Sequence, residues 1–260
     1  MSPIALTIAG SDPSGGAGLQ ADLKTFHQHG VYGMAVVSLL TVQSTRGVTR
    51  VDPVSAELLA QQLDHLLADL TPGAAKTGAL GNAALVEVVA ARAKAFSFPL
   101  VVDPVMISKH GHPLIDASAV TAVKQQLLPV SFLLTPNTQE AAALTGRTVE
   151  TLAQAKDAAK ALAQLGAKHV LVKGGHLDGA PIDVLLTEGT LHELHAERID
   201  TKHTHGTGCT YSAAIVARLA LGAPLLTAVT EAKAWLTRAI ATAPGIGSGV
   251  GPVNHFAPLR

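Results

Sequence analysis

The chain has 260 residues, of which 48% are hydrophobic and 15% charged, with 19 basic against 19 acidic side chains. That balance excludes a disordered or tail-like polypeptide, and a chain of this length buries roughly 70–75% of its unfolded surface without staples. With a formal net charge of zero there is no global field to draw nucleic acid or an acidic membrane, so neither is expected as a partner and any bound anion is held by local geometry.

The first apolar run, 4–9, reads as a strand and is too short for the core of a secretory signal. Runs at 31–42, 74–77, 100–102, 132–134 and 169–172 are likewise short, apolar and bounded by turn residues or charge, as strands are. Between them, 21–29, 55–70, 82–95, 117–128, 139–145 and 152–165 have helical spacing. In 55–70, Leu59, Leu63, Leu66 and Leu67 share one face and Ser55 is the expected cap. Three short segments, 183–187, 190–196 and 197–201, read as an antiparallel edge. The apolar stretch 210–230 carries Arg218 and is broken by Gly222-Ala223-Pro224, so it reads as two buried helices rather than a membrane span. Helices end near 241, and the tail 244–260 is rich in Gly and Pro. Alternating strands and helices with nearly unbroken apolar strands predict a mostly parallel sheet covered on both faces. No linker or repeat divides residues 1–260, and a single α/β domain is expected.

Cys209 is the one cysteine, which excludes an internal disulfide framework and favours a reducing compartment, here the cytoplasm. In an open parallel sheet, ligands bind at the carboxyl ends of the strands. Gly10-Ser11-Asp12, Gln43, Lys76-Thr77-Gly78, Asp103-Pro104, Thr135-Pro136-Asn137 and Lys173-Gly174-Gly175 each follow one predicted strand. The first loop, Gly10 to Gly18, lets backbone N–H groups approach a ligand and enters a helix carrying Gln20 and Asp22. It formally fits a dinucleotide fingerprint, but too far beyond its strand and with no acid closing the second strand. A Walker A loop is absent because Ala75 precedes Lys76-Thr77.

Gly206, Thr207 and Gly208 present successive N–H groups at a helix start, a cradle for a transferring phosphate. Cys209 falls in that helix's first turn, where the dipole favours thiolate; the alternative is a small buried hydrophobe. Beside such a cradle, Lys173 becomes a clamp for charge that builds up during transfer. Asp103 and Glu140 are candidate Mg²⁺ ligands, direct or through water, and alternatively caps or salt-bridge partners. Asn137 alone is explained as the N-cap of the following helix. The twelve histidines, including the H-x-H pairs at 27/29, 110/112 and 203/205, lack a third ligand at useful spacing and read as surface or loop residues.

The runs Ala5 to Asp22, Ala75-Lys-Thr-Gly78, Val102-Asp-Pro-Val-Met106, Thr135-Pro-Asn137, Lys173-Gly-Gly-His176 and His203-Thr-His-Gly-Thr-Gly-Cys209 together resemble the hydroxymethylpyrimidine/phosphomethylpyrimidine kinases of thiamine biosynthesis. These belong to the ribokinase-like superfamily, and the resemblance extends from about residue 4 to 256. It implies a three-layer α/β/α fold with a small antiparallel edge. It implies that ATP phosphorylates 4-amino-5-hydroxymethyl-2-methylpyrimidine, then the monophosphate to the diphosphate. Gln43 would read the pyrimidine's amino group and ring nitrogen, with the Gly10 backbone and Asp22 completing the pocket. Lys173 would stabilise the transferring phosphate, Gly206–Cys209 would form the anion hole, and Asn137, Lys173 and Thr207 would face the nucleotide. Asp103 and Glu140 would serve the Mg²⁺ region, and the Cys209 thiolate would be the base, where most sugar kinases carry aspartate.

The superfamily commonly dimerises, and a homodimer paired through the edge at 183–201 is expected. The dual pyridoxal/pyrimidine branch uses a second cysteine in the flap after Asp-Pro-Val; here that stretch is 106–113, without cysteine and with His112 where an acid is more usual. Pyridoxal kinase is the alternative enzyme, and a pyrimidine-binding protein without transfer is the alternative of another class.

Overall fold

Strand β1 (Ile4–Ser11) is an interior strand, flanked on both sides by other strands, and all but its terminal residues are buried. The computed structural model describes residues 3–107, 114–175, 177 and 180–259. The flap expected at 106–113 falls largely outside the described residues, as do His110, His112 and His176.

After β1 come α1 (Gly18–Gln28), β2 (Tyr32–Ser44), β3 (Gly47–Pro53), α2 (Ala56–Asp69), β4 (Ala74–Thr77), α3 (Ala83–Ala93) and β5 (Leu100–Val102). Helix α4 (Ala117–Ala122) continues through a π turn, Val123–Leu127, and a 3₁₀ turn, Leu128–Val130, into β6 (Leu133–Leu134). Then follow α5 (Thr138–Thr145), α6 (Leu152–Gln164), β7 (His169–Val172), β8 (Asp183–Thr187), β9 (Thr190–Leu194), α7 (Thr207–Ala220) and α8 (Leu225–Ala241). Helix starts are fixed by side chains that satisfy first-turn N–H groups: Ser55 accepts from Leu58 N, Asn82 from Leu85 N and Asp116 from Ala119 N. Such caps contribute about 1 kcal/mol each.

The described strands form one sheet in the order β3-β2-β1-β4-β5-β6-β7-β8-β9. From β2 to β7 every pairing is parallel, whereas β3, β8 and β9 are antiparallel. Successive strand residues feed opposite cores, as the two-residue strand period requires. Leu6, Ile8, Val102, Leu134 and Val172 pack with Leu59, Leu63, Leu85 and Leu162 of α2, α3 and α6. Ala5, Val101, Leu133 and Leu171 pack instead with Phe26, Ile215 and Trp235 of α1, α7 and α8. Both faces are therefore covered, and the parallel strands point their carboxyl ends to a single rim.

Four expectations are corrected. The sheet has antiparallel strands at both edges, not one: β2 runs on through Gln43 and Ser44 and returns as β3. Segment 47–53 escaped detection because an exposed edge strand needs no apolar alternation; Arg50 and Asp52 pair with each other in solvent. Residues 197–201 form no strand, and β9 ends at Leu194. Helix α1 starts at Gly18 rather than at residue 21, because the glycine loop turns directly into its first turn. The apolar stretch near 210–230 is two helices, α7 and α8, and no helix among the described residues is long and apolar enough to cross a membrane.

Candidate active site

A cleft of about 1110 Å³ opens on the carboxyl rim of the sheet. Of the residues singled out from sequence, Gly10, Gln43, Asp103, Asn137, Glu140, Lys173 and the run Gly206–Cys209 line it. Six separated chain segments thus meet at one crevice.

The first loop is built around Asp12. Its carboxylate accepts from Ser14 N at 2.9 Å, Ser14 Oγ at 2.7 Å, Gly16 N at 3.2 Å and Ala17 N at 2.9 Å. Gln20 locks the loop from α1, accepting from Asp12 N and donating to Ser11 Oγ. Gly10 leaves no room for a side chain, since a Cβ there would collide with Leu39. Gly206, with φ 75°, is the N-cap of α7 and packs so closely on the Gly16 carbonyl that only glycine fits. No side chain caps α7; Thr207 N turns back to the Thr204 carbonyl at 3.3 Å, which leaves the Gly208 and Cys209 N–H groups to a ligand. The Thr207 hydroxyl is spent on the Thr204 carbonyl at 2.7 Å, which leaves the backbone as the cradle.

Lys173 stands against this helix start: a Cβ built on Gly208 would lie 3.3 Å from its Nζ. Lys173 Nζ donates to Asp103 Oδ1 at 2.9 Å, and Ser212 Oγ donates to Asp103 Oδ2 at 3.2 Å. Burial works against both charges. Lys173 and Lys76 nevertheless hold the Asp103 carboxyl below its ordinary range, and Asp103 with Glu140 raises Lys173, so both remain ionised. Asn137 is the N-cap of α5 in a reciprocal box: Glu140 N donates to Asn137 Oδ1 and Asn137 N to Glu140 Oε2, each at 2.8 Å. Burial pushes Glu140 up to about 7 although Lys173 pulls it down.

Three readings of single residues are corrected here. Asp22 does not line the cleft. It is fully buried beneath it, accepting from Thr7 Oγ1 at 2.6 Å and from Lys76 Nζ at 2.7 Å. Its role is to neutralise Lys76, whose ammonium also donates to the Cys209 carbonyl at 3.2 Å and so ties β4 to the first turn of α7. Second, Cys209 is no resting thiolate: burial pushes its thiol up to about 11, outweighing the pull of Lys76. The helix dipole favours the anion, but desolvation is the larger effect at this depth. Third, the histidines are not all surface residues. His29, His169, His205 and His255 are buried, and His205 Nε2 donates to Asp12 Oδ2 at 2.7 Å. An H-x-H spacing signals metal before it signals a hydrogen-bonded core histidine, which hid this role.

No group of three His, Cys, Asp or Glu side chains able to hold a metal occurs among the described residues. Asp103 and Glu140 fit a Mg²⁺ ion of the kind that keeps its waters and leans on substrate phosphates, since few protein carboxylates are then required.

A parallel sheet with antiparallel edges, an uncapped glycine-rich helix start and a lysine against it define a phosphotransferase of the ribokinase-like class. The family model described as phosphomethylpyrimidine kinase matches residues 12–254. The hydroxymethylpyrimidine/phosphomethylpyrimidine kinase of Bacillus subtilis is 45% identical over 259 residues, covering 98% of this chain and 96% of that one. Among solved structures, an ADP complex of Bacillus subtilis pyridoxal kinase superposes with a TM-score of 0.91 at 37% identity, covering 99% and 98% of the two chains. The phosphomethylpyrimidine kinase of Clostridium difficile superposes with a TM-score of 0.82 at 38% identity, covering 92% and 100%. The chain belongs to the phosphomethylpyrimidine kinase family. It is a kinase of that family.

Proposed function

We propose that residues 1–260 act as one kinase domain whose cleft holds the pyrimidine against Gln43 and the Gly10 backbone while ATP directs its terminal phosphate at the start of α7. The observation that carries this reading is the shared cleft of Gln43, Lys173 and Cys209. In the first step the hydroxymethyl oxygen forms a bond to the γ-phosphorus as the bond to the ADP oxygen breaks. The alcohol proton passes to the Cys209 sulfur. Gly208 and Cys209 N–H groups and the Lys173 ammonium meet the charge spreading over the transferring oxygens, where preorganised donors are most effective. Because the thiol is neutral at rest, the reactive form is the minor thiolate, and the rate should climb with pH. In the second step the acceptor is a phosphate oxygen, already ionised near neutrality, which needs no base.

Asp103 and Glu140 would hold Mg²⁺ through water and phosphate oxygens; that ion supplies charge neutralisation to the polyphosphate. Asn137 and Thr207 would border the nucleotide. Exposed Leu40 and Val42 on β2, at the other end of the sheet from the expected pairing edge at 183–201, favour contact with a second copy in a homodimer, testable by light scattering, and one unpaired cysteine suits a reducing cytoplasm. Coupled ADP release with the pyrimidine alcohol and MgATP tests the whole reading: turnover to a diphosphate is expected, and no activity on either acceptor removes it. The pyridoxal kinase likeness is weighed by comparing kcat/KM for pyridoxal with that for the pyrimidine alcohol, which should be the larger.

A further inference from the structure

Gln43 sits in two contacts that cannot coexist with its amide oxygen toward Thr41 and its amide nitrogen toward His205. In that sense Oε1 lies 3.2 Å from Thr41 Oγ1, and Nε2 lies 3.2 Å from His205 Nε2. Thr41 has one hydroxyl proton, already directed to the Ser11 carbonyl at 2.9 Å. His205 Nε2 has one proton, already directed to Asp12 Oδ2 at 2.7 Å. A ring nitrogen donating to a carboxylate offers no lone pair to an amide N–H. Asp12 is ionised at neutral pH, since hydrogen bonds from His205 and Ser14 outweigh the burial that would raise it, so the proton belongs to the imidazole. Turning the amide by 180° resolves both conflicts. Nε2 then donates to Thr41 Oγ1, and Oε1 shares the His205 N–H with Asp12.

We infer that His205 is a positioning residue that fixes the sense of the Gln43 amide, oxygen toward the imidazole and nitrogen toward Thr41, and thereby decides which hydrogen-bond pattern of a heteroaromatic ring the pocket accepts. This rests on the reading that Gln43 meets the pyrimidine edge. A 4-aminopyrimidine presents a donor beside an acceptor, and its 4-oxo counterpart presents an acceptor beside a donor. An anchored amide matches one of these, whereas an amide free to turn matches either. His205 is itself firmly anchored. It is 3% exposed, donates to the carboxylate that organises the first loop, and packs so closely on Gly16 that a side chain there would collide with its ring.

Two measurements test this. Neutron diffraction from the unaltered protein should find the Gln43 deuterons directed at Thr41 Oγ1; deuterons directed at His205 would overturn the inference. Kinetics should compare 4-amino-5-hydroxymethyl-2-methylpyrimidine with 5-hydroxymethyl-2-methylpyrimidin-4-one. The parent should prefer the amino compound in kcat/KM by at least about a hundredfold. In His205→Phe that ratio should fall by about tenfold or more, with KM for ATP unchanged, while His205→Gln, which restores an N–H toward Asp12, should keep it within about threefold of the parent. A ratio unmoved in His205→Phe, or lost equally in His205→Gln, overturns the inference. Gln43→Ala separates it from its foundation: an unchanged pyrimidine KM there removes the underlying reading and the specificity claim with it. A raised KM beside an unmoved ratio in His205→Phe defeats the inference alone.

Discussion

A thiol in the first turn of a helix is ordinarily acidified, yet burial leaves Cys209 near 11. If its minor thiolate takes the alcohol proton, kcat/KM for the alcohol rises about tenfold per pH unit from 7 to 9, and Cys209→Ala abolishes that rise. Because the phosphate acceptor needs no base, Cys209→Ala should slow the first phosphorylation by about 10²–10⁴ and the second by less than about tenfold. Equal losses in the two steps would assign Cys209 a packing role instead. Lys173→Ala should lower kcat in both steps by about 10²–10³ while leaving the pyrimidine KM near its parent value, because the ammonium meets charge that develops only during transfer.

The placement that short motifs suggest was legible at this scale: Lys173, and Cys209 with the glycines before it, line one cleft. Lys76, Asp22 and His205 were not. Their partners lie 54, 54 and 193 positions away, and no local spacing reveals a buried ion pair or a shared proton.

Helices here owe their boundaries to caps that can be removed one at a time. Thr151 and Gln154 form a reciprocal box at the start of α6, remote from the cleft lining. Thr151→Ala should cost about 1 kcal/mol in urea unfolding with kcat unchanged. At α5 the capping glutamate also titrates. The folded value for Glu140 of about 7 stands above the ordinary 4.5, so the folded chain binds that proton more tightly. Its favourable contribution, complete below pH 4.5, is lost as pH rises through 7. Glu140→Gln should therefore melt progressively higher relative to the parent as pH is raised from 5 to 8, and a gap that narrows would contradict the burial argument. Caps such as Ser55 and Asn137 could be read directly from residue type, because a cap acts within three or four residues. Strand β3 could not, since an exposed edge carries no core to pattern it.

Across the whole molecule, the parallel arrangement of β2 through β7 converts residues scattered from Gly10 to Cys209 into one crevice. That convergence was legible in advance, because each polar cluster closes a short apolar run and parallel strands end on the same side. The division of labour inside the crevice was not, since depth below the rim separates Asp22 from Gln43 and sequence carries no depth. The most direct test is a crystal structure with the pyrimidine alcohol and a nonhydrolysable ATP analogue. The ring edge should meet Gln43, the hydroxymethyl oxygen should lie within hydrogen-bond reach of Cys209, and the terminal phosphate should rest on the first turn of α7 beside Lys173. A nucleotide seated against Gln43, or an alcohol turned away from Cys209, would contradict the account.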